Sequence, residues 1–155
     1  MSYIPYDDFV LEEYIRICDH RIPQITQEDF LPELSKAEQA IWLINQFDGE
    51  VINGGLDQWL RNPTGDYAYE TLISLERVEA IVSACVVRAL HSLFPNRHIS
   101  KDWGTRVQQL DSLTKKQHVL ISQLSDVYGC EGGREGDQIF ELVHRFVQKS
   151  NARDC

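Results

Sequence analysis

Ser35-Lys36-Ala37-Glu38-Gln39-Ala40-Ile41-Trp42-Leu43-Ile44-Asn45-Gln46-Phe47-Asp48-Gly49-Glu50-Val51-Ile52-Asn53 decides the fold. Ala37, Ala40, Ile41, Ile44, Phe47 and Val51 recur at three- and four-residue spacing, the period of an amphipathic helix. Ser35 and Glu38 form an S-x-x-E capping box, which satisfies two backbone donors that a helix start otherwise leaves unpaired. Gly49 is tolerated inside this helix at about 1 kcal/mol. Gly54 and Gly55 then stop it, through a left-handed cap and a sharp reversal into a short helical piece, Leu56 to Arg61, that Asn62 and Pro63 end.

The same period extends in both directions. A first helix runs from about Asp7 to His20, with Val10, Tyr14, Ile17 and Cys18 as its apolar stripe. Ile22 to Pro32 is a connector. Asp66 is placed to cap a third helix through Tyr69, Leu72, Ile73 and Leu75. A fourth, from Arg77 or Glu79 to Phe94, is apolar nearly all round and is expected centrally, with neighbours on both sides. Further helices fall at Trp103 to Leu113, Lys116 to Tyr128 and Asp137 to Lys149, separated by a glycine-rich stretch, Gly129 to Gly136, read as a mobile loop. No segment alternates as a strand does. The expectation is an all-α fold: one compact domain over residues 1–155, a bundle of about seven to eight helices around a central apolar helix near 79–94.

Charge is distributed unevenly. The first fifty residues hold eleven carboxylates against Arg16, Arg21 and Lys36, a local charge of −8, whereas the other 105 residues carry −1. A one-signed field of this kind attracts a basic surface and speeds encounter with it. It repels nucleic acid, anionic membrane and phosphate-rich ligands, unless a metal or a hidden basic pocket intervenes. Lys115-Lys116 is too short a basic run to bind nucleic acid. No apolar run approaches the roughly 20 residues that a membrane helix needs, and the start Met1-Ser2-Tyr3 lacks the order of a signal peptide, so a cytoplasmic protein is expected.

No catalytic or metal constellation is spelled out. Cys18, Cys85, Cys130 and Cys155 form no C-x-x-C; Cys18 and Cys85 read as small core residues, Cys155 as exposed, and Cys130 as a loop thiol near Arg134. Histidines 20, 91, 98, 118 and 144 never pair at ligand spacing, and His91 and His144 lie beside apolar stripes. No metal, cofactor or enzymatic activity is expected.

Rare residue types crowd together at Glu50-Val51-Ile52-Asn53-Gly54-Gly55-Leu56-Asp57-Gln58-Trp59-Leu60, closed by Asn62 and Gly65. Here the chain resembles the bacterial DNA-mimic protein family, an acidic all-helical domain marked by E-V-x-N-G-G, a hydrophobic residue, a glutamine and an aromatic. The match is good from Phe47 to Gly65 and looser through about Leu93; Leu56 and Leu60 stand where the family more often has rings. The resemblance implies a protein that imitates DNA phosphates to occupy a DNA-binding protein, often as a homodimer; some relatives look like immunity proteins that neutralise toxins. From the residues themselves, Glu50, Asn53, Gly54, Gly55, Gln58 and Trp59 serve the geometry of a tight turn, with Glu50, Asn53 and Gln58 able to hydrogen-bond it.

Carboxylates at helical spacing lie about 5 to 6 Å apart, the same order as the roughly 3.4 Å advance per phosphate along one DNA strand. The leading reading is therefore a non-enzymatic inhibitor or regulator that binds a basic protein partner through Asp7, Asp8, Glu12, Glu13, Asp19, Glu28, Asp29 and Glu33. The alternatives are an immunity protein against a toxin such as a nuclease, and a small-ligand protein or enzyme with a pocket around Glu50, Asn53, Gln58 and Trp59.

Overall fold

The computed structural model describes residues 7–130 and 133–153 and is built from helices, with no strand among the described residues. The chain runs through α1 (Asp8–Arg16), α2 (Lys36–Arg61), α3 (Ala68–Arg77), α4 (Ile81–Ser92), α5 (Trp103–Asp111), α6 (Lys115–Cys130), the single turn α7 (Arg134–Asp137) and α8 (Ile139–Arg153).

The start of α2 is where the capping box puts it. The Glu38 N–H donates to Ser35 Oγ at 3.1 Å, and the Ser35 N–H donates back to Glu38 Oε2 at 2.9 Å. The other oxygen of Glu38 lies 3.1 Å from Arg16 Nη2 and 3.5 Å from Arg21 Nε, so one carboxylate caps α2 and ties the end of the first helical segment to it. Ala40, Ile41, Leu43, Ile44, Phe47 and Val51 are buried, as their spacing requires. With buried residues on several faces, α2 is the hub of the bundle and touches α1, α3, α5, α6 and α8.

Several local expectations are corrected. The first helix leaves α-geometry at Ile17, where the chain widens into a π-turn over Ile17–Arg21. Asp66 does not cap α3: it sits in a 3-10 turn, Pro63–Tyr67, with its carboxylate turned to Arg106. The fourth helix starts at Ile81 rather than at Arg77 or Glu79, because the chain takes a left-handed conformation at Glu79 (φ 65°). Its inner face packs against α3, α6 and α7, while Ile81, Val82 and Cys85 are exposed, so Cys85 is not a core residue.

Outside residues 131–132, the stretch read as a glycine loop is largely helical. α6 continues to Cys130, and α7 begins at Arg134. Gly133 is buried, its N–H donating to the Val127 carbonyl at 3.1 Å, and a Cβ there would lie 2.7 Å from Tyr128 Cα. Close approach, not freedom, explains that glycine. Asp137 then reaches α4, accepting from the Val82 and Ser83 N–H groups (3.2 and 2.7 Å) and from the Ser83 hydroxyl at 2.8 Å. Helix α4 is thus capped by a residue from a distant part of the chain. The side chain of Cys130, and Cys155, lie outside the described residues.

Candidate functional site

Two regions carry the residues singled out above: the break in α2 and the acidic N-terminal segment. At the break, Gly55 adopts φ 81° and ψ 177°, a conformation open in practice to glycine alone, and divides α2 into residues 36–54 and 56–61. The Leu56 N–H, displaced from the helical ladder, donates to Ser125 Oγ of α6 at 2.9 Å, and that hydroxyl donates to the Ile121 carbonyl at 2.9 Å. The left-handed glycine that ends the first arm was expected; its anchor on α6 was not.

Glu50 braces the two arms from the other side. Gln58 Nε2 donates to Glu50 Oε2 at 3.1 Å, and Asn62 Nδ2 donates to the same oxygen at 2.8 Å. Gln58 lies flat over Gly54, where any Cβ would overlap its amide. Asn53 is exposed and takes no part, so Asn62 fills the place expected of it. Trp59 is buried, edge-on to Phe47 (4.8 Å, 74°), which meets Tyr128 in the same manner (4.8 Å, 67°). The Tyr128 hydroxyl donates to buried Asp48 at 2.8 Å, and burial pushes that hydroxyl's pKa far above the ordinary tyrosine value.

Arg106 of α5 completes the assembly and has no signal in the local sequence. Its side chain is wholly buried; Nε donates to the Leu60 carbonyl (2.7 Å), and the two other nitrogens reach the Ser100, Lys101 and Asn62 carbonyls (2.9, 3.0 and 3.3 Å) and Asp66 Oδ1 (2.7 Å). Gly65 leaves room for it: a Cβ there would lie 3.0 Å from Arg106 Nε and 2.8 Å from the Trp59 carbonyl oxygen.

These contacts do not gather Glu50, Asn53, Gln58 and Trp59 around one pocket. A cleft of about 410 Å³ does open between the break and α6, but Gly54, Gly55, Asp57, His118, Ile121, Ser122, Ser125 and Asp126 line it. Glu50 and Gln58 are turned away into the brace, Asn53 faces solvent, and Trp59 is core. Among the described residues no cluster of three or more His, Cys, Asp or Glu side chains is arranged to hold a metal ion. His91 is buried with Nε2 3.2 Å from the Ala68 carbonyl, and burial lowers its pKa.

The N-terminal carboxylates divide into two groups. Asp7 caps α1 through the Val10 N–H and lies 2.7 Å from His144 Nδ1 of α8, whose ring stacks on Phe9 at 4.5 Å. Glu13 pairs with Arg16 at 3.0 Å. Asp29 accepts from the Leu31 N–H and lies 4.0 Å from Lys101, which chiefly pairs with Glu70 at 2.6 Å. These three are tied down within the molecule. Asp8, Glu12, Asp19, Glu28 and Glu33 are exposed and have no ion-pair partner among the described residues. On α1 the free acids share a stripe with two exposed apolar side chains, Leu11 (38% exposed) and Ile15 (47%).

No helix of the described residues is long and apolar enough to cross a membrane. In comparisons with known proteins, a family model described as DMP19-like protein matches residues 32–150, from the last turn of the connector into the last turn of α8 and including the whole of the braced break. The stripe on α1 precedes the matched region. Neither the curated proteins nor the solved structures gave a match.

Proposed function

Because this chain belongs to the DMP19-like family, a DNA-mimic family, we propose that its N-terminal carboxylates occupy the basic, nucleic-acid-binding surface of a protein partner. The family is not known as an enzyme family. The observation that carries the reading is the stripe Asp8, Leu11, Glu12 and Ile15 on α1: two unneutralised acids alternate with two solvent-facing apolar side chains.

Exposed charge supplies long-range attraction and a fast encounter. Desolvated apolar anchors hold the docked state, since burying about 25 cal/mol per Å² of apolar area is where affinity accumulates once the charges have met. Asp19, Glu28 and Glu33 extend the negative field around the π-turn and connector. Asp7, Glu13 and Asp29 are spent on internal contacts and contribute mainly to holding the face in place. Because the stripe lies before residue 32, this assignment rests on the chain's own exposed groups, with the family supplying the class of partner.

The test is capture of partners from cells of the source organism by the full chain and by a D8K/E12K/D19K variant, at low and at high salt. The native chain should retain a DNA-binding or other basic protein at low salt and lose it when the screening length drops below about 8 Å. The variant, folded as judged by circular dichroism, should retain none. Equal capture by both chains would remove the acidic face from the mechanism.

A further inference from the structure

Several cations of this chain are consumed by carboxylates: Arg16 and Arg21 by Glu38, Arg61 by Asp57 and Asp111, Arg88 by Glu76, Lys101 by Glu70, Arg134 by Asp48. Of those with no such partner among the described residues, Arg77, Lys149 and Arg153 gather in one place. A cleft of about 240 Å³ between the C-terminal end of α3 and the second half of α8 is ringed by Arg77, Arg145, Lys149 and Arg153. Of these only Arg145 has a carboxylate partner among the described residues, Glu141 at 2.9 Å, in a pair more than half exposed on both sides.

We propose that this cleft is a binding site for a small, multiply charged anion carrying phosphoryl or carboxylate groups. Arg145, Lys149 and Arg153 succeed one another at four-residue intervals on one face of α8, a row of three cations over roughly 12 Å at 1.5 Å rise per residue. Arg77 faces the row from α3, so that an anion entering the cleft meets positive charge from two helices. Arg77 is fixed there by the turn that ends α3: the Ala80 N–H donates to the Leu75 carbonyl (2.9 Å) and the Glu79 N–H to that of Glu76 (3.0 Å), a Schellman closure with Glu79 in the left-handed position.

Cations near helix C-termini also complement the helix dipole, which accounts for Arg77 and Arg153 in their last turns. It does not account for Arg145 and Lys149, which stand in the body of α8. Set against Glu79 on the lining and Glu141 beside Arg145, the four cations give the described residues of the site an excess of two positive charges in a protein of net charge −9. The volume of about 240 Å³ suits a compact guest. Half-buried Phe146 gives it a partly apolar wall. The proposal is independent of the acidic face on α1.

The experiment is a nitrogen-15 NMR titration of the full chain with sodium pyrophosphate and, in a second arm, sodium citrate, each against sodium chloride of equal ionic strength. Saturable shifts are expected for backbone amides around Glu79, Arg145 and Lys149. Preference for pyrophosphate assigns a phosphoryl ligand, and preference for citrate a polycarboxylate. R145Q/K149Q removes exposed charges with little effect on folding and should weaken binding about tenfold or more; K116Q, on α6, should leave it unchanged. Shifts no larger than those in sodium chloride, or undiminished in the double variant, overturn the proposal.

Discussion

Arg106 Nε donates to the Leu60 carbonyl at 2.7 Å from a guanidinium entirely removed from solvent. Leu60 lies in the last turn of α2, whose final carbonyls have no partner within their own helix. An arginine from another helix satisfies them, and Asp66 balances its charge. Replacing Arg106 with methionine leaves those acceptors buried and empty, and the expected loss is on the order of 3 to 5 kcal/mol in urea unfolding. Lysine keeps the charge but not the fork, and should fall between. A methionine variant within about 1 kcal/mol of the native chain would contradict this account.

The break in α2 gives a second prediction. Gly55→Ala forces a side chain into φ 81°, ψ 177° and within 3.2 Å of Ser125 Oγ, at a cost of about 1 to 3 kcal/mol. Ser125→Ala leaves the Leu56 N–H without an acceptor and should cost about 1 to 3 kcal/mol. Because both act on one contact, the double variant should lose less than the two single losses combined.

Asp137 caps α4 from a distant part of the chain. Asp137→Ala should destabilise by about 0.5 to 2 kcal/mol, and amide exchange at Val82 and Ser83 should accelerate before that of the remainder of α4.

Glu38 sets a dependence on acid. Partial burial raises its pKa, but the Ser35 N–H bond and the Arg16 and Arg21 charges outweigh this and hold it below the ordinary 4.5. A depressed value in the folded chain means that the stabilisation is complete above about pH 4.5 and is lost as pH falls through the lower folded value. Glu38→Gln should flatten the acid limb of stability measured against pH. An acid limb of unchanged slope would show that the two arginines contribute nothing there.

At the alkaline end the sign reverses. Burial raises Tyr14 and Tyr67 to about 12, with help from Cys18 for the first and from neighbouring carboxylates for the second, and raises Tyr128 well above its ordinary value. Groups whose folded pKa lies above the unfolded 10 stabilise fully below pH 10, and that contribution is lost as pH rises through the folded values. Tyrosinate absorbance from these residues should therefore appear together with unfolding as pH is raised.

Features that depend on neighbours along the chain were readable in advance. The capping box at Ser35 and Glu38 and the apolar period through Val51 each follow from a few consecutive residues, as does the arrest at Gly54-Gly55, and together they fixed the helical class. Features that depend on distant residues were not. Nothing near Arg106 marks it as the closure of α2, because Leu60, Asn62 and Asp66, which it ties together, lie forty or more residues earlier in the chain. Asp66 had the right type and place for a cap, yet a buried guanidinium competed for it. The glycines after Tyr128 suggested freedom, whereas Gly133 is required by a close approach that only packing reveals. Counting charge located the acidic segment, but not which carboxylates His144, Arg16 and Lys101 would engage.

The dependence of α4 on Asp137 also bears on how the molecule is made. A ribosome delivers Val82 and Ser83 more than fifty residues before the carboxylate that will hold their amides. Until Asp137 emerges, the fourth helix lacks its clasp and must begin from an open end. Any nascent product truncated before Asp137 would expose that end to water, to proteases and to chaperones, so the arrival of this one carboxylate is itself a step in securing the bundle.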